Sequence, residues 1–294
     1  IGEEQLMKHD EAVRADIVEV GRRLYDRGFV ASNDGNISVR LADDRILTTP
    51  TGVSKGFMTP DMMVTTDFAG QKITGDREPS SELLMHLAVY EHRPEIRSVV
   101  HAHPPTATGF AVAGIPLDRA VLAEVVTTLG SIPIADYGTP STSELADAVR
   151  EHIKVHDGLL LANHGAVTVA HELFAAYYKM ETVEHFARIS LVARQLGRER
   201  LLSREEVDRL QTLRDRYGIA APAPLCPEET DIQADGVCQA LEAPSLPGQR
   251  LVDPGTFVAD RIATGLGRLG DQDEVRLTYR QLTALIADAV THLR

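Results

Sequence analysis

The chain has 294 residues, a formal net charge of -13, and 43% hydrophobic against 25% charged residues, the balance of a soluble globular protein able to bury a large core. So acidic a surface repels a phosphate backbone and argues against a nucleic-acid partner. Ile1-Gly2-Glu3-Glu4 carries no basic segment leading into an apolar run, no stretch approaches about eighteen uninterrupted apolar residues, and Cys226 and Cys238 are the only cysteines; the expectation is a cytoplasmic protein without signal peptide, membrane span or disulfide scaffold.

Residues 9–28 read as an amphipathic helix with Val13, Ile17, Val20 and Leu24 on one face and Gly28 placed to end it. The turn cluster Asn33-Asp34-Gly35-Asn36 leads into 37–41, which alternates like a half-buried strand, and Asp43-Asp44 turns the chain back into 45–49 as a hairpin. Residues 63–66 form the next strand and 67–70 a turn. Gly35 and Gly52 allow backbone N–H groups to approach an anion, with Asn36, Ser38 and Thr51 as side-chain donors, although such turns also serve purely structural ends. Ser80 or Ser81 is placed to cap a helix running to about His92, with Glu82 in its first turn. The same hydroxyls and N–H groups are able to hold a phosphate, leaving Glu82 free to face a metal. His86, four residues on, reads as a core residue or as support behind Glu82.

Strand periodicity sends His101 and His103 of Ser98-Val99-Val100-His101-Ala102-His103-Pro104-Pro105 out on one face, and the Pro-Pro pair ends the strand beside a loop. His164 follows a second apolar run, Leu159-Leu160-Leu161, and precedes Gly165. A single histidine beside a strand is most often a packed core residue. A strand-spaced pair joined by a third is a set able to hold a zinc-like ion with one position open, which separates a catalytic site from a structural one. Residues 106–113 read as a short helix, 121–126 as a helix or a strand, 131–135 as a strand, and Ser143 as the cap of a helix reaching Ile153. A long helix spans 171–196, and Ser203 opens another that ends near Tyr217-Gly218. From Ala220 the prolines 222, 224, 244, 247 and 254 give linker composition. The organisation is therefore a domain over 1–220, a Pro-rich linker over 221–254 and an amphipathic helical segment over 255–294, which either docks a partner or packs on its own core.

Gly35-Asn36-Ile37-Ser38, Pro50-Thr51-Gly52, Ser80-Ser81-Glu82, His101-Ala102-His103 and Asn163-His164-Gly165 together resemble, motif by motif and in order, the class II aldolase and adducin head family over residues 10–220. The resemblance implies an α/β fold, a three-layer α/β/α sandwich around a mainly antiparallel sheet, assembled as a cyclic homotetramer with active sites between subunits. It implies His101, His103 and His164 as ligands of Zn2+, with Mn2+ or Co2+ as substitutes, and Glu82 as fourth ligand and acid/base. By the same resemblance Asn36, Thr51, Gly52, Ser80 and Ser81 hold a substrate phosphate, and Tyr217 is the proton donor that a neighbouring subunit offers. The implied activity is that of a lyase, the reversible cleavage of a ketose 1-phosphate such as L-fuculose 1-phosphate to dihydroxyacetone phosphate and a small aldehyde. Relatives that act as sugar-phosphate 4-epimerases carry Asp at the position of Glu82, which favours the aldolase. A sugar-phosphate 4-epimerase, a decarboxylase and a non-catalytic scaffold like the adducin head are the alternatives, the last opposed by the retained metal-type residues. No tyrosine stands around 122–124, where the family offers a second one at the subunit interface.

Overall fold

The computed structural model describes residues 3–41 and 45–216. The Asp43-Asp44 turn, Tyr217, the stretch 221–254, the segment 255–294 and both cysteines lie outside the described residues.

Eight strands form one sheet: β1 (Asn36–Arg40), β2 (Ile46–Thr48), β3 (Val64–Thr66), β4 (Lys72–Thr74), β5 (Ser98–Ala102), β6 (Ile134–Ala135), β7 (Gly158–Leu161) and β8 (Gly165–Ala170), in the order β4-β3-β2-β1-β5-β8-β7-β6. Every pairing is antiparallel except β6 with β7. The helices are α1 (Glu3–Asp26), α2 (Leu83–His92), α3 (Pro105–Val112), α4 (Ala123–Thr128), α5 (Ser143–Ile153), α6 (Leu173–Gln195) and α7 (Arg204–Arg216). Among the described residues no helix is long and apolar enough to cross a membrane.

Side-chain alternation along the strands divides the interior into two layers. Ile37, Val39, Val100, Leu160 and Ala166 join residues of α1, α3 and α6 in one core, whereas Val99, Leu159, Leu161, Val167 and Val169 join α2 and α5 in the other. This is the three-layer sandwich that the resemblance implies. Its parity also decides where polar groups go. Ser38, between Ile37 and Val39, must face α2, and so must His101, one residue beyond Val100.

Several elements differ from their sequence reading, each for a physical reason. β1 is buried on both faces rather than one, because helices cover the sheet on each side. α1 begins near Glu3, and the ambiguous 121–126 stretch turns helical from Ala123 as α4, with Leu122 extended before it. Thr142 rather than Ser143 caps α5, its side chain accepting from Glu144 N. Glu82 is not in the first turn of α2 but occupies the position before it, with Ser80 Oγ accepting from Glu82 N at 3.3 Å. The strands β4 and β8 were not anticipated.

Candidate metal centre

His101 is the penultimate residue of β5 and is fully buried, His103 lies just past the strand end, and His164 sits on the hairpin that joins β7 to β8. That hairpin is tight because Asn163 adopts a left-handed conformation (φ 56), which asparagine tolerates better than most residues. It also closes onto β5 because residue 165 has no side chain: a Cβ there would lie 2.6 Å from Ala102 O and 2.6 Å from His103 Cδ2. The three rings meet edge to face, with centroids 4.8–4.9 Å apart and planes inclined by 62–68°. Their ligand nitrogens all fall within 4.8 Å of one another.

Glu82 stands against this triad, with Oε2 3.4 Å from His101 Nε2 and Oε1 3.2 Å from His164 Nε2. Its orientation is set from behind. The register of β1 against β5 pairs Asn36 with His101, and Asn36 Nδ2 donates to Glu82 Oε2 at 2.7 Å. Asn36 Oδ1 takes a short hydrogen bond from His86 Nε2; His86 Nδ1 meets Ser38 Oγ at 2.7 Å, and Ser38 Oγ meets Tyr90 OH at 2.7 Å. The result is a continuous buried polar chain from Tyr90 to the carboxylate. Burial pushes His86 down to about 4, so it is neutral at physiological pH, and pushes the Tyr90 phenol up. Burial also opposes ionisation of Glu82, but the His164 and His101 rings and the Asn36 amide outweigh it and hold the carboxyl well below its ordinary range.

The donor set fits a divalent cation. His101 Nδ1 donates to Ala166 O at 2.9 Å, which leaves the lone pair on Nε2, 3.1 Å from His103 Nε2. His103 Nδ1 in turn lies 3.5 Å from Asp34 Oδ2, the carboxylate–imidazole contact that aims a ligating ring. Burial lowers both His101 and His103, favouring the neutral form that binds metal. Glu82 Oε1 and His164 Nδ1 are buried without a hydrogen-bond partner. Nitrogens converging at this distance, a carboxylate with a spare oxygen and no apolar filling between them make a site for a borderline cation such as Zn2+.

The residues expected to hold a phosphate are drawn together by a second device. An isolated antiparallel bridge joins Pro50 to Pro79, with Thr51 N donating to Glu78 O at 3.0 Å and Ser80 N to Thr49 O at 3.1 Å. Thr51 and Gly52 therefore lie alongside Ser80 and Ser81; Ser80 is largely buried while the other three are exposed. Gly52 (φ 70) gives its loop a left-handed turn. Asn36 differs from these four in that its amide bonds both Glu82 and His86. Residues that sequence reasoning did not single out are Asp34, whose place in the Asn33-Asp34-Gly35-Asn36 turn was the available signal, and Tyr90, one helical turn beyond His86.

Comparison with known proteins agrees with this geometry. The family described as Class II Aldolase and Adducin N-terminal domain matches residues 15–191. An L-fuculose phosphate aldolase from Methanococcus maripaludis is 35% identical over 181 residues, covering 62% of this chain and 97% of the relative. A 3-oxo-tetronate 4-phosphate decarboxylase from Pectobacterium atrosepticum is 30% identical over 195 residues, covering 65% of this chain and 89% of the relative. A solved L-fuculose 1-phosphate aldolase superposes with a TM-score of 0.66 at 29% identity, covering 71% of this chain and 97% of that one.

Proposed function

The chain belongs to the class II aldolase and adducin family, and from that premise we propose that it is a divalent-metal-dependent aldolase that reversibly cleaves a ketose 1-phosphate to dihydroxyacetone phosphate and a small aldehyde. The observation that carries the reading is the convergence of His101, His103 and His164 with Glu82 lodged against two of the three rings. These residues would hold the ion, zinc by preference. Bound there, a divalent cation supplies Lewis acidity towards the neighbouring carbonyl and hydroxyl oxygens of the substrate.

The remaining steps belong to the side chains. Thr51, Gly52, Ser80 and Ser81 bind the phosphate and fix the position of the carbon skeleton, which lowers the orientational cost of reaction. Asn36 occupies Glu82 Oε2, so Oε1, which takes no bond from Asn36 and faces the His164 ring, is the atom that receives a proton and returns it to carbon. The His164 and His101 rings and the Asn36 amide hold Glu82 below its ordinary range, so the carboxylate is ionised in the resting site. By the family resemblance a homotetramer would place Tyr217 of a neighbouring subunit at the opposite side of the substrate as proton donor; a solution mass of four chains and loss of cleavage in Tyr217→Phe are the corresponding tests.

A decarboxylase acting on a 3-oxo sugar-acid phosphate is the second reading, favoured by the 30% identity to the Pectobacterium enzyme. Both reactions break a carbon–carbon bond and leave charge beside a carbonyl, so the same metal and carboxylate serve either. A panel of ketose 1-phosphates, ketose 5-phosphates and 3-oxo-tetronate 4-phosphate, read for dihydroxyacetone phosphate and for carbon dioxide, decides between them. Release of neither product from any of them and no epimerisation of the ketose 5-phosphates, by protein loaded with zinc, manganese or cobalt, would instead favour a scaffold of the adducin-head kind.

A further inference from the structure

Lys55 is one of the largest fully buried side chains, with 2% of its surface exposed. Burying an ammonium group is costly unless a counter-charge or a full set of acceptors meets it. Other buried charges here are met: Asp157 by Arg93 and Lys179, and Glu184 by the N–H groups of Thr106 and Ala107. Lys55 has no carboxylate within ion-pair distance among the described residues. Its Nζ donates instead to two backbone carbonyls, Asn33 O at 3.0 Å and Val53 O at 2.7 Å. Those bonds use two of its three donors.

The two carbonyls are not arbitrary. Asn33 begins the turn that leads through Asp34 and Gly35 to Asn36, and Val53 follows Thr51 and Gly52, so the ammonium cross-links the loop beside the metal centre to the loop of the proposed phosphate pocket. The backbone is built to send this side chain inward. The 3-10 turn Lys55–Phe57 presses on α1 where both partners lack a side chain: a Cβ on Gly21 would meet Lys55 O at 2.8 Å, and one on Gly56 would meet the Tyr25 ring at 2.5 Å. At the Pro50–Pro79 bridge Lys72 is already engaged, its Nζ donating to Glu78 Oε1 and to Arg77 O.

We infer that Lys55 is the positioning residue of the anion pocket, locking the 33–36 and 50–53 loops to each other and supplying from beneath them the positive charge that a bound phosphate requires. The inference rests on the phosphate-binding reading above and adds to it the source of the charge, which hydroxyls and backbone N–H groups do not provide. Burial pushes the Lys55 ammonium down to about 8, with Asp34 and Glu82 acting in the opposite direction; an arriving phosphate adds a further negative charge that favours the protonated form.

Calorimetric titration of the metal-loaded protein with inorganic phosphate tests this. Lys55→Met is expected to bind phosphate at least tenfold more weakly than the native protein with its metal content unchanged, and Lys55→Arg, which restores the charge, to recover most of the affinity. In the native protein labelled with 15N-lysine, the Lys55 Nζ resonance is expected to move on phosphate addition, a readout that holds even if Lys55→Met does not fold. A Lys55→Met protein with a lowered unfolding midpoint but native phosphate affinity, or an Nζ resonance that does not respond, overturns the inference and leaves the aldolase reading standing. A native protein without phosphate affinity overturns both.

Discussion

Asn36 Nδ2 donates to Glu82 Oε2 at 2.7 Å while Asn36 Oδ1 is held by His86, so one amide both orients the carboxylate of the site and consumes one of its two oxygens. A hydrogen bond to a charged group contributes about 1.5–3 kcal/mol. Asn36→Ala is therefore expected to lower turnover by about tenfold to a hundredfold with metal retained. Asn36→Asp sets a second carboxylate against the first and raises the apparent pKa of the pair, so the acid limb of the pH–rate profile should move to higher pH. An acid limb that stays in place in Asn36→Asp would separate Glu82 from the titration that governs rate.

The metal centre should depend on its three rings and on the carboxylate behind one of them. His103→Ala is expected to lose bound metal and all cleavage, since it removes one of the three converging nitrogens and the ring that Asp34 braces. Asp34 Oδ2 lies 3.5 Å from His103 Nδ1, and removing such support typically weakens metal binding by about tenfold or more. Chelator competition on Asp34→Asn measures this directly; affinity equal to that of the native protein would mean that the contact does not orient the ring.

His86 gives the stability of the metal-free protein a defined pH window. Its ordinary value is 6.5, and burial holds it at about 4 in the fold. As pH falls below 6.5 the unfolded chain takes up a proton before the folded one does, so the stabilisation is complete above 6.5 and is lost as pH drops through 4. The difference corresponds to about 3 kcal/mol. Urea unfolding of metal-free native protein and of His86→Gln, at pH 7 and pH 4.5, is expected to show a smaller acid-induced loss in the variant, because the other titrating groups are common to both. Equal losses would show that His86 is not the proton acceptor.

The three converging histidines were legible in the sequence because their information is local. His101 and His103 share a face through strand periodicity, and His164 is marked by the Asn163-His164-Gly165 turn. The supporting groups were not legible, since they are created by register and by layers. Asn36 reaches Glu82 because β1 pairs it with His101, and Ser38 reaches His86 because β1 is covered on both faces, whereas its sequence reads as half-exposed. β8 escaped notice for the same reason: Gly165–Ala170 is buried throughout and shows no polar face. β4 is the opposite case, an exposed strand that pairs, among the described residues, with β3 alone. Lys55 carries no local signal of its burial, which comes from the packing of its turn against Gly21.

Gly165 is limited by space rather than by backbone conformation. A methyl group there would enter within 2.6 Å of both Ala102 O and His103 Cδ2 and within 3.3 Å of His101 Cε1, so either β8 moves off β5 or the rings tilt. Gly165→Ala is expected to destabilise the fold by about 1–3 kcal/mol and to weaken metal binding more than a stability loss of that size explains. Thermal unfolding with and without zinc reads both effects; a variant with native zinc affinity would show that the hairpin can shift without disturbing the triad.

Glu82→Gln separates the two duties given to this side chain. Glutamine keeps the length of the arm and one acceptor, which Asn36 Nδ2 can still fill, so the orientation seen in the native site is preserved. What replaces Oε1 beside His164 is an amide NH2, which has no lone pair to accept a proton. The three imidazoles remain, and with them most of the metal affinity. Proton transfer does not remain, and loss of a positioned general base costs about a hundredfold to ten-thousandfold in rate. Exchange of the carbon-bound proton of dihydroxyacetone phosphate in D2O, followed by NMR, isolates this step from carbon–carbon cleavage. Exchange is expected to stop in Glu82→Gln while zinc content stays near native. Normal exchange would remove Glu82 as the base, and loss of zinc would assign the carboxylate chiefly to holding the ion, because only that duty would then have been lost before any proton could move.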